Sequence, residues 1–181
     1  MKEIEVKAHL KNEDQVIKKL LELGCVLSEP VRQVDTVYTK VLGTIEEYLT
    51  NDHFLRIREK SDGRFIFTVK QPHPKVALTK TEYETEVKDA GALERALFLM
   101  GYQIANKVTK LRRTTYFGRF EICIDEVEKI GAFIEIEKMS DEDPILVRKE
   151  LQKFLLSLGV STDDEVHKGY DIMALERQLL N

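Results

Sequence analysis

The sequence predicts an α+β chain of about eight long antiparallel strands and three or four helices, with charged strand faces turned toward one another. Two observations carry this reading. The first is that four stretches alternate charged and apolar residues with period two: Glu3, Glu5 and Lys7; Arg56 and Arg58; Lys110 and Arg112; Glu135 and Glu137. A period of two is a strand period, so each set projects from one face of one strand, while Ile4, Val6, Leu55, Ile57, Ile134 and Ile136 fill the opposite faces. Helices covering those apolar faces would leave the charged faces looking inward, around a cavity with cations for phosphate and carboxylates for metal. The second is a unit that appears three times: EIEVK at 3–7 leads to LLELGC at 20–25, EYETEVK at 82–88 to LFLMGY at 97–102, and EIEK at 135–138 to FLLSLGV at 154–160. Each unit is a strand with alternate glutamates followed by a helix that closes on glycine, as at a C-cap.

Taken in order, a strand at 2–10 and a helix at about 13–24 are followed by a strand at 26–40 and a polar loop at 43–51. Strands at 53–60 and 64–71 are joined by Ser61, Asp62 and Gly63, a hairpin turn. Pro72 and Pro74 mark a loop at 72–78. Beyond it come a strand at 79–88, a helix at 90–100, and strands at 103–117, 119–127 and 132–139. Apolar periodicity then predicts an amphipathic helix at 143–158 and a short C-terminal one at 168–180.

With 181 residues, 43% hydrophobic and 33% charged, the chain is expected to form a single domain with a sizeable core. A net charge of -4 argues against a general nucleic-acid binder, which carries a basic excess. Charged strand residues follow Met1 at once, and no apolar run approaches membrane-spanning length, so a cytoplasmic protein without membrane partners is expected. Cys25 and Cys123 stand in apolar contexts without metal-ligand spacing and read as buried reduced thiols. His9, His53, His73 and His167 are dispersed and show no ligand spacing either. Phe65 and Phe67 read as core on the face opposite Lys70, and Tyr38 and Tyr116 as residues that either reach the cavity or cap it.

The chemistry lies in what the facing strands hold. Arg56, Arg58, Lys70, Lys110 and Arg112, joined by Lys80, offer forked and point-charge donors to several phosphates at once. Together with Glu3, Glu5, Asp125, Glu135 and Glu137 they make little sense as a dry core. They suit a hydrated polyphosphate with divalent ions, since Mg²⁺ or Mn²⁺ prefers oxygen ligands. There is no P-loop, GxGxxG or nucleophile elbow.

Glu3, Glu5 and Lys7 match the ExExK signature of the CYTH, or triphosphate tunnel metalloenzyme, superfamily. Further matches follow in order: QVDTVY at 33–38, LRIR at 55–58, TVK at 68–70, TEYE at 81–84, KLR at 110–112 and IDEVEKIGAFIEIE at 124–137. The last resembles the DEVEGLGxFxEIE block of the class IV adenylyl cyclase branch. The resemblance implies an eight-stranded antiparallel closed β-barrel, a tunnel with helices packed outside, over the whole of residues 1–181. It implies that Arg56, Arg58, Lys70, Lys80, Lys110 and Arg112 hold a triphosphate and that Glu3, Glu5, Asp125, Glu135 and Glu137 bind Mg²⁺ or Mn²⁺ directly or through water. Lys7 completes the signature; with Glu3, Glu5, Lys110, Arg112, Asp125 and Glu135 it makes up the implied catalytic set. The implied reaction is conversion of ATP to 3',5'-cyclic AMP and pyrophosphate. The alternatives are hydrolysis of thiamine triphosphate, tripolyphosphate or a nucleotide, and non-catalytic binding of a polyphosphate or nucleotide. The implied partner is a small-molecule triphosphate, and a homodimer is common in that branch. Two departures stand out: Lys129, Ile130 and Gly131 replace the Gly-Leu-Gly turn, and Lys168, Gly169 and Tyr170 replace a C-terminal Lys-Ser-Tyr.

Overall fold

The structure, a computed structural model, describes residues 2–41, 43–50, 53–72 and 80–179, apart from the side chains of Pro72, Lys80, Thr81 and Leu179. Among the described residues it has eight strands, β1 (Lys2–His9), β2 (Val31–Thr39), β3 (Phe54–Lys60), β4 (Phe65–Pro72), β5 (Lys80–Val87), β6 (Gln103–Phe117), β7 (Phe120–Val127) and β8 (Gly131–Ser140). The five α-helices are α1 (Glu13–Glu22), α2 (Ile45–Tyr48), α3 (Ala90–Leu99), α4 (Pro144–Ser157) and α5 (Tyr170–Leu179). The chain clusters into two compact units, Met1–Val31 with His73–Lys80 and Leu111–His167, and Arg32–Pro72 with Thr81–Lys110 and Lys168–Asn181.

In the first unit β1, β8 and β7 form one antiparallel ladder, with Glu5 opposite Glu137 and Lys7 opposite Glu135, and with Glu137 and Glu135 opposite Glu121 and Cys123 on the other side. Because strand side chains alternate, this register collects Ile4, Val6, Ile122, Ile124, Ile134 and Ile136 on one face. There they are buried against Val16 and Leu20 of α1 and Val147, Leu151 and Leu155 of α4. Each such side chain taken fully from water contributes about 1.5–3 kcal/mol, which fixes the register and leaves the charged residues on the opposite face. The helices are placed by local signals: Asn12 and Asp143 accept hydrogen bonds from Gln15 and Ile145 as N-caps, and Pro144 opens α4. The three repeats end as expected, with Gly24, Gly101 and Gly159 at φ 80, 86 and 86°, the left-handed conformation that closes a helix.

In the second unit β2, β3 and β4 pair antiparallel, Asp35 lying opposite Arg58 and Val37 opposite Arg56. Tyr38, Leu55 and Ile57 pack with Leu97 of α3, and Phe65, Phe67 and Val69 pack against the same cluster. Phe65 and Phe67 are therefore core, as the sequence suggests. Tyr38 belongs to this helix-covered face too, its hydroxyl donating to Glu94 at 2.7 Å, so it does not share the charged face. The expected polar loop at 43–51 holds the one-turn α2, which Thr44 and Glu47 stabilise by a reciprocal capping box.

The eight antiparallel strands and the helices against their apolar faces agree with the expectation. Among the described residues no helix is long and apolar enough to cross a membrane. Cys25 and Cys123 are buried and unbridged.

The turn between β7 and β8 carries a local cost. Lys129 has φ 65°, a left-handed conformation at the first position of the departed Gly-Leu-Gly motif. Lys129→Gly is expected to stabilise the protein by about 0.5–1 kcal/mol in urea denaturation, because glycine relieves the Cβ clash there; a loss of stability would contradict this reading of the turn.

Candidate functional site

The charged face of the first unit is built on β1, β8, β7 and the end of β6. One carboxylate oxygen each from Glu3, Glu5 and Glu137 lies within 4.8 Å of the others. Burial, reinforced by Glu135, Glu3 and Glu5, pushes the Glu137 carboxyl up to about 8. One step along the ladder, Glu135 accepts from Lys7 Nζ at 3.0 Å, and Lys7 Nζ lies 3.8 Å from Glu5. Burial disfavours the Lys7 ammonium, but Glu135 and Glu5 outweigh it and hold the charge firmly. Arg112 forks onto Asp125, donating from Nε to Oδ1 at 2.7 Å, and its outer nitrogen bonds both Asp125 and Glu135. Burial works against the Arg112 charge too, and the same two carboxylates override it. Cys123 lies on this face opposite Glu135, and burial pushes its thiol up to about 12, so it stays protonated. The backbone of Lys80 pairs with Glu3, while its side chain lies outside the described residues.

The charged face of the second unit is cationic. Asp35 receives Arg58 as a bidentate fork, Nε to Oδ1 at 2.6 Å and the outer nitrogen to Oδ2 at 2.8 Å, and lies 3.6 Å from Arg56. Arg56 also donates to Glu84 at 3.1 Å and to Thr68 at 3.0 Å, and Thr68 donates to Glu84 at 2.7 Å. Lys70 pairs with Glu82. Lys110, 3% exposed, places its ammonium 5.0 Å from the ring centre of Tyr170. Burial alone would raise the Asp35 carboxyl, but the Arg58 hydrogen bonds and the Arg56 charge hold it well below the usual carboxylate range.

Of the residues the sequence singled out, Glu3, Glu5 and Glu137 are thus brought together, while Asp125 and Glu135 turn to Arg112. Arg56, Arg58, Lys70 and Lys110 share the second unit. Asp35, Thr68, Glu82 and Glu84 partner these cations, a role the sequence reading did not assign, although QVDTVY and TEYE contain three of them. Their alternation with apolar neighbours was the available signal; the pairing itself depends on strand register. His9, His53 and His167 are outside the carboxylate cluster, and His73 falls outside the described residues. Tyr116 is exposed and donates to Glu121 at 3.2 Å.

The CYTH domain family matches residues 1–170. The chain belongs to the CYTH domain family. Among its CYTH-like relatives, a candidate adenylate cyclase of Methanocaldococcus jannaschii is 28% identical over 175 residues, 94% of this chain and 97% of that one. The adenylate cyclase CyaB of Aeromonas hydrophila is 28% identical over 97 residues, 52% of this chain and 51% of its own length. The solved structure of the PH1819 protein from Pyrococcus horikoshii superposes with a TM-score of 0.81 at 28% identity, covering 97% of this chain and 99% of that one. A Hippeastrum protein, described as an adenylyl cyclase candidate with a dominant triphosphatase activity, shares the fold with a TM-score of 0.61 at 16% identity, covering 98% and 96%.

Asp35 gives this CYTH chain a measurable acid dependence. Its carboxyl is depressed in the folded state, so its stabilising contribution is complete above the ordinary value of about 3.9 and is lost as pH falls through the folded-state value. Asp35→Asn is expected to cost about 3 kcal/mol at pH 7, with the gap to the unsubstituted protein narrowing steadily below about pH 4 in denaturant titrations. A gap that stays constant down to pH 2 would contradict the ion pair.

Proposed function

We propose that this CYTH chain is a divalent-metal-dependent enzyme acting on a triphosphate, and specifically an adenylyl cyclase of the class IV type that converts ATP to 3',5'-cyclic AMP and pyrophosphate. The observation that carries the proposal is that a chain of this family holds both a cation set, buried Lys110 with the half-buried Arg56, Arg58 and Lys70, and a converging carboxylate triad. The adenylate cyclase names of the Methanocaldococcus and Aeromonas relatives support the choice of reaction.

The residues present fit a divalent ion. Three carboxylate oxygens within 4.8 Å form a hard donor set, and burial, with the like charges of Glu135, Glu3 and Glu5 behind it, pushes the Glu137 carboxyl upward. Glu3, Glu5 and Glu137 would hold the metal, which when bound supplies a lowered pKa for the attacking hydroxyl and neutralises the departing pyrophosphate. Asp125 and Glu135, expected as ligands, are assigned instead to orienting Arg112 and Lys7, because their oxygens already face those cations. Arg56, Arg58, Lys70, Lys110 and Arg112 would bind the phosphates and stabilise charge that builds on them as the ribose 3'-oxygen attacks the α-phosphorus. The bidentate pairing of Arg58 with Asp35 fixes the orientation of its guanidinium. Water attacking the terminal phosphorus would use the same cations, which makes hydrolysis of thiamine triphosphate, tripolyphosphate or a nucleotide the second reading.

Chromatography of products after incubation with ATP and Mg²⁺ or Mn²⁺, beside tripolyphosphate and thiamine triphosphate, tests the proposal. Cyclic AMP with pyrophosphate is expected; orthophosphate without cyclic product would replace the cyclase by a triphosphatase, and binding without turnover in any metal would overturn catalysis. The carboxylate triad makes a separate prediction. Glu137→Gln, which mimics the neutral form that the raised carboxyl favours and ends the cost of holding a proton above the ordinary carboxylate range, is expected to stabilise the metal-free protein by about 1 kcal/mol at pH 7 and to shrink the Tm rise caused by Mn²⁺. An unchanged Mn²⁺ response would contradict the assignment of Glu137 as a ligand.

A further inference from the structure

Asn106 on β6 is 4% exposed, and among the described residues its buried Oδ1 has no hydrogen-bond partner. The assignment of oxygen and nitrogen in this carboxamide is fixed by its other end: Nδ2 donates to the backbone carbonyl of Asp171 at 2.6 Å, and the Asp171 carboxylate is held in turn by the Tyr48 hydroxyl at 2.6 Å. Turning the amide over would set two oxygens against each other. A buried carbonyl without a donor is costly, and the cost is removed when a ligand brings an N–H or O–H to it.

The position of this oxygen says what that ligand is. Asn106, Val108 and Lys110 alternate on β6 and are all buried, and Asn106 and Lys110 both meet the first turn of α5, at Asp171 and at Tyr170. They therefore share a face, with the carboxamide four residues from Lys110, about 13 Å along the strand. In a nucleoside triphosphate whose phosphates sit at Lys110, that span passes the ribose and reaches the base. Phosphates and the ring nitrogens of adenine only accept hydrogen bonds; the exocyclic 6-amino group donates.

Resting on the triphosphate reading above, we infer that Asn106 is a specificity-determining residue whose buried Oδ1 accepts from the exocyclic amine of an adenine base. Guanine and hypoxanthine carry an oxygen at that position and would set an acceptor against an acceptor. A site built to accept from an N–H rejects the analogue that lacks it far more strongly than an apolar pocket would.

The test is calorimetric binding of ATP, inosine triphosphate and tripolyphosphate without added divalent metal, so that nothing turns over. ATP is expected to bind at least about tenfold more tightly than inosine triphosphate, and Asn106→Leu to bring that ratio close to one. The readout is a ratio within one protein sample, which a general weakening of phosphate binding does not move. Equal binding of ATP and inosine triphosphate by the unsubstituted protein, the result expected if the carboxamide meets only water, overturns the inference while leaving the triphosphate reading in place. It is equally overturned if a folded Asn106→Leu protein keeps the full ATP preference. Failure of all three ligands to bind overturns both. Should Asn106→Leu not fold, the ratio in the unsubstituted protein still decides.

Discussion

The structure depends on the sealing of one face of each strand by helices. Ile4, Val6, Ile134 and Ile136 against α1 and α4, and Leu55, Ile57 and Tyr38 against α3, fix which way every neighbouring residue points. A slip of one residue would bury Glu5 or Arg58 among leucines, a cost no helix packing could offset. The apolar pattern therefore does more than hold the sheets together: it determines that the charges of each unit face the same way.

Charges gathered on one face must then satisfy one another, and the two units solve this differently. In the second, each arginine of β3 finds a carboxylate across the ladder, Asp35 for Arg58 and both Asp35 and Glu84 for Arg56, while Lys70 meets Glu82. In the first, Arg112 and Lys7 lie against Asp125 and Glu135, but Glu3, Glu5 and Glu137 converge with one another. Repulsion kept in a folded protein is a departure from local consistency of the kind that marks functional positions. A divalent cation bound there, as proposed, would relieve it and so link stability to ligand binding in one cluster.

Much of this was legible in the sequence because it rests on periodicity and on residue types with one conformational use. Period two located the strands, and the glycine closing each repeated helix announced Gly24, Gly101 and Gly159 in their left-handed conformation. Phe65 and Phe67 declared themselves core by parity with Val69. What escaped depends on other physics. Helix α2 is one turn long and is held by the Thr44–Glu47 capping box, so it has no periodicity to find. The strand expected from residue 26 begins at Val31; before it, the Val26 carbonyl accepts from the Thr115 hydroxyl, and Ser28 exchanges two hydrogen bonds with Thr114 of β6. Asp35 was visible as an acid in a strand, but its partner Arg58 is set by register across a loop, as is the turning of Asp125 and Glu135 to Arg112. Cross-strand pairing is long-range information that a linear pattern holds only implicitly.

The central claim, that the carboxylates of Glu3, Glu5 and Glu137 form a metal site serving a polyphosphate, is tested most directly by anomalous diffraction from crystals grown with Mn²⁺ and tripolyphosphate. The account predicts an Mn²⁺ peak at coordination distance from those three carboxylates, with phosphate density on Arg56 and Arg58. A peak held elsewhere, or polyphosphate bound away from these arginines, would contradict it.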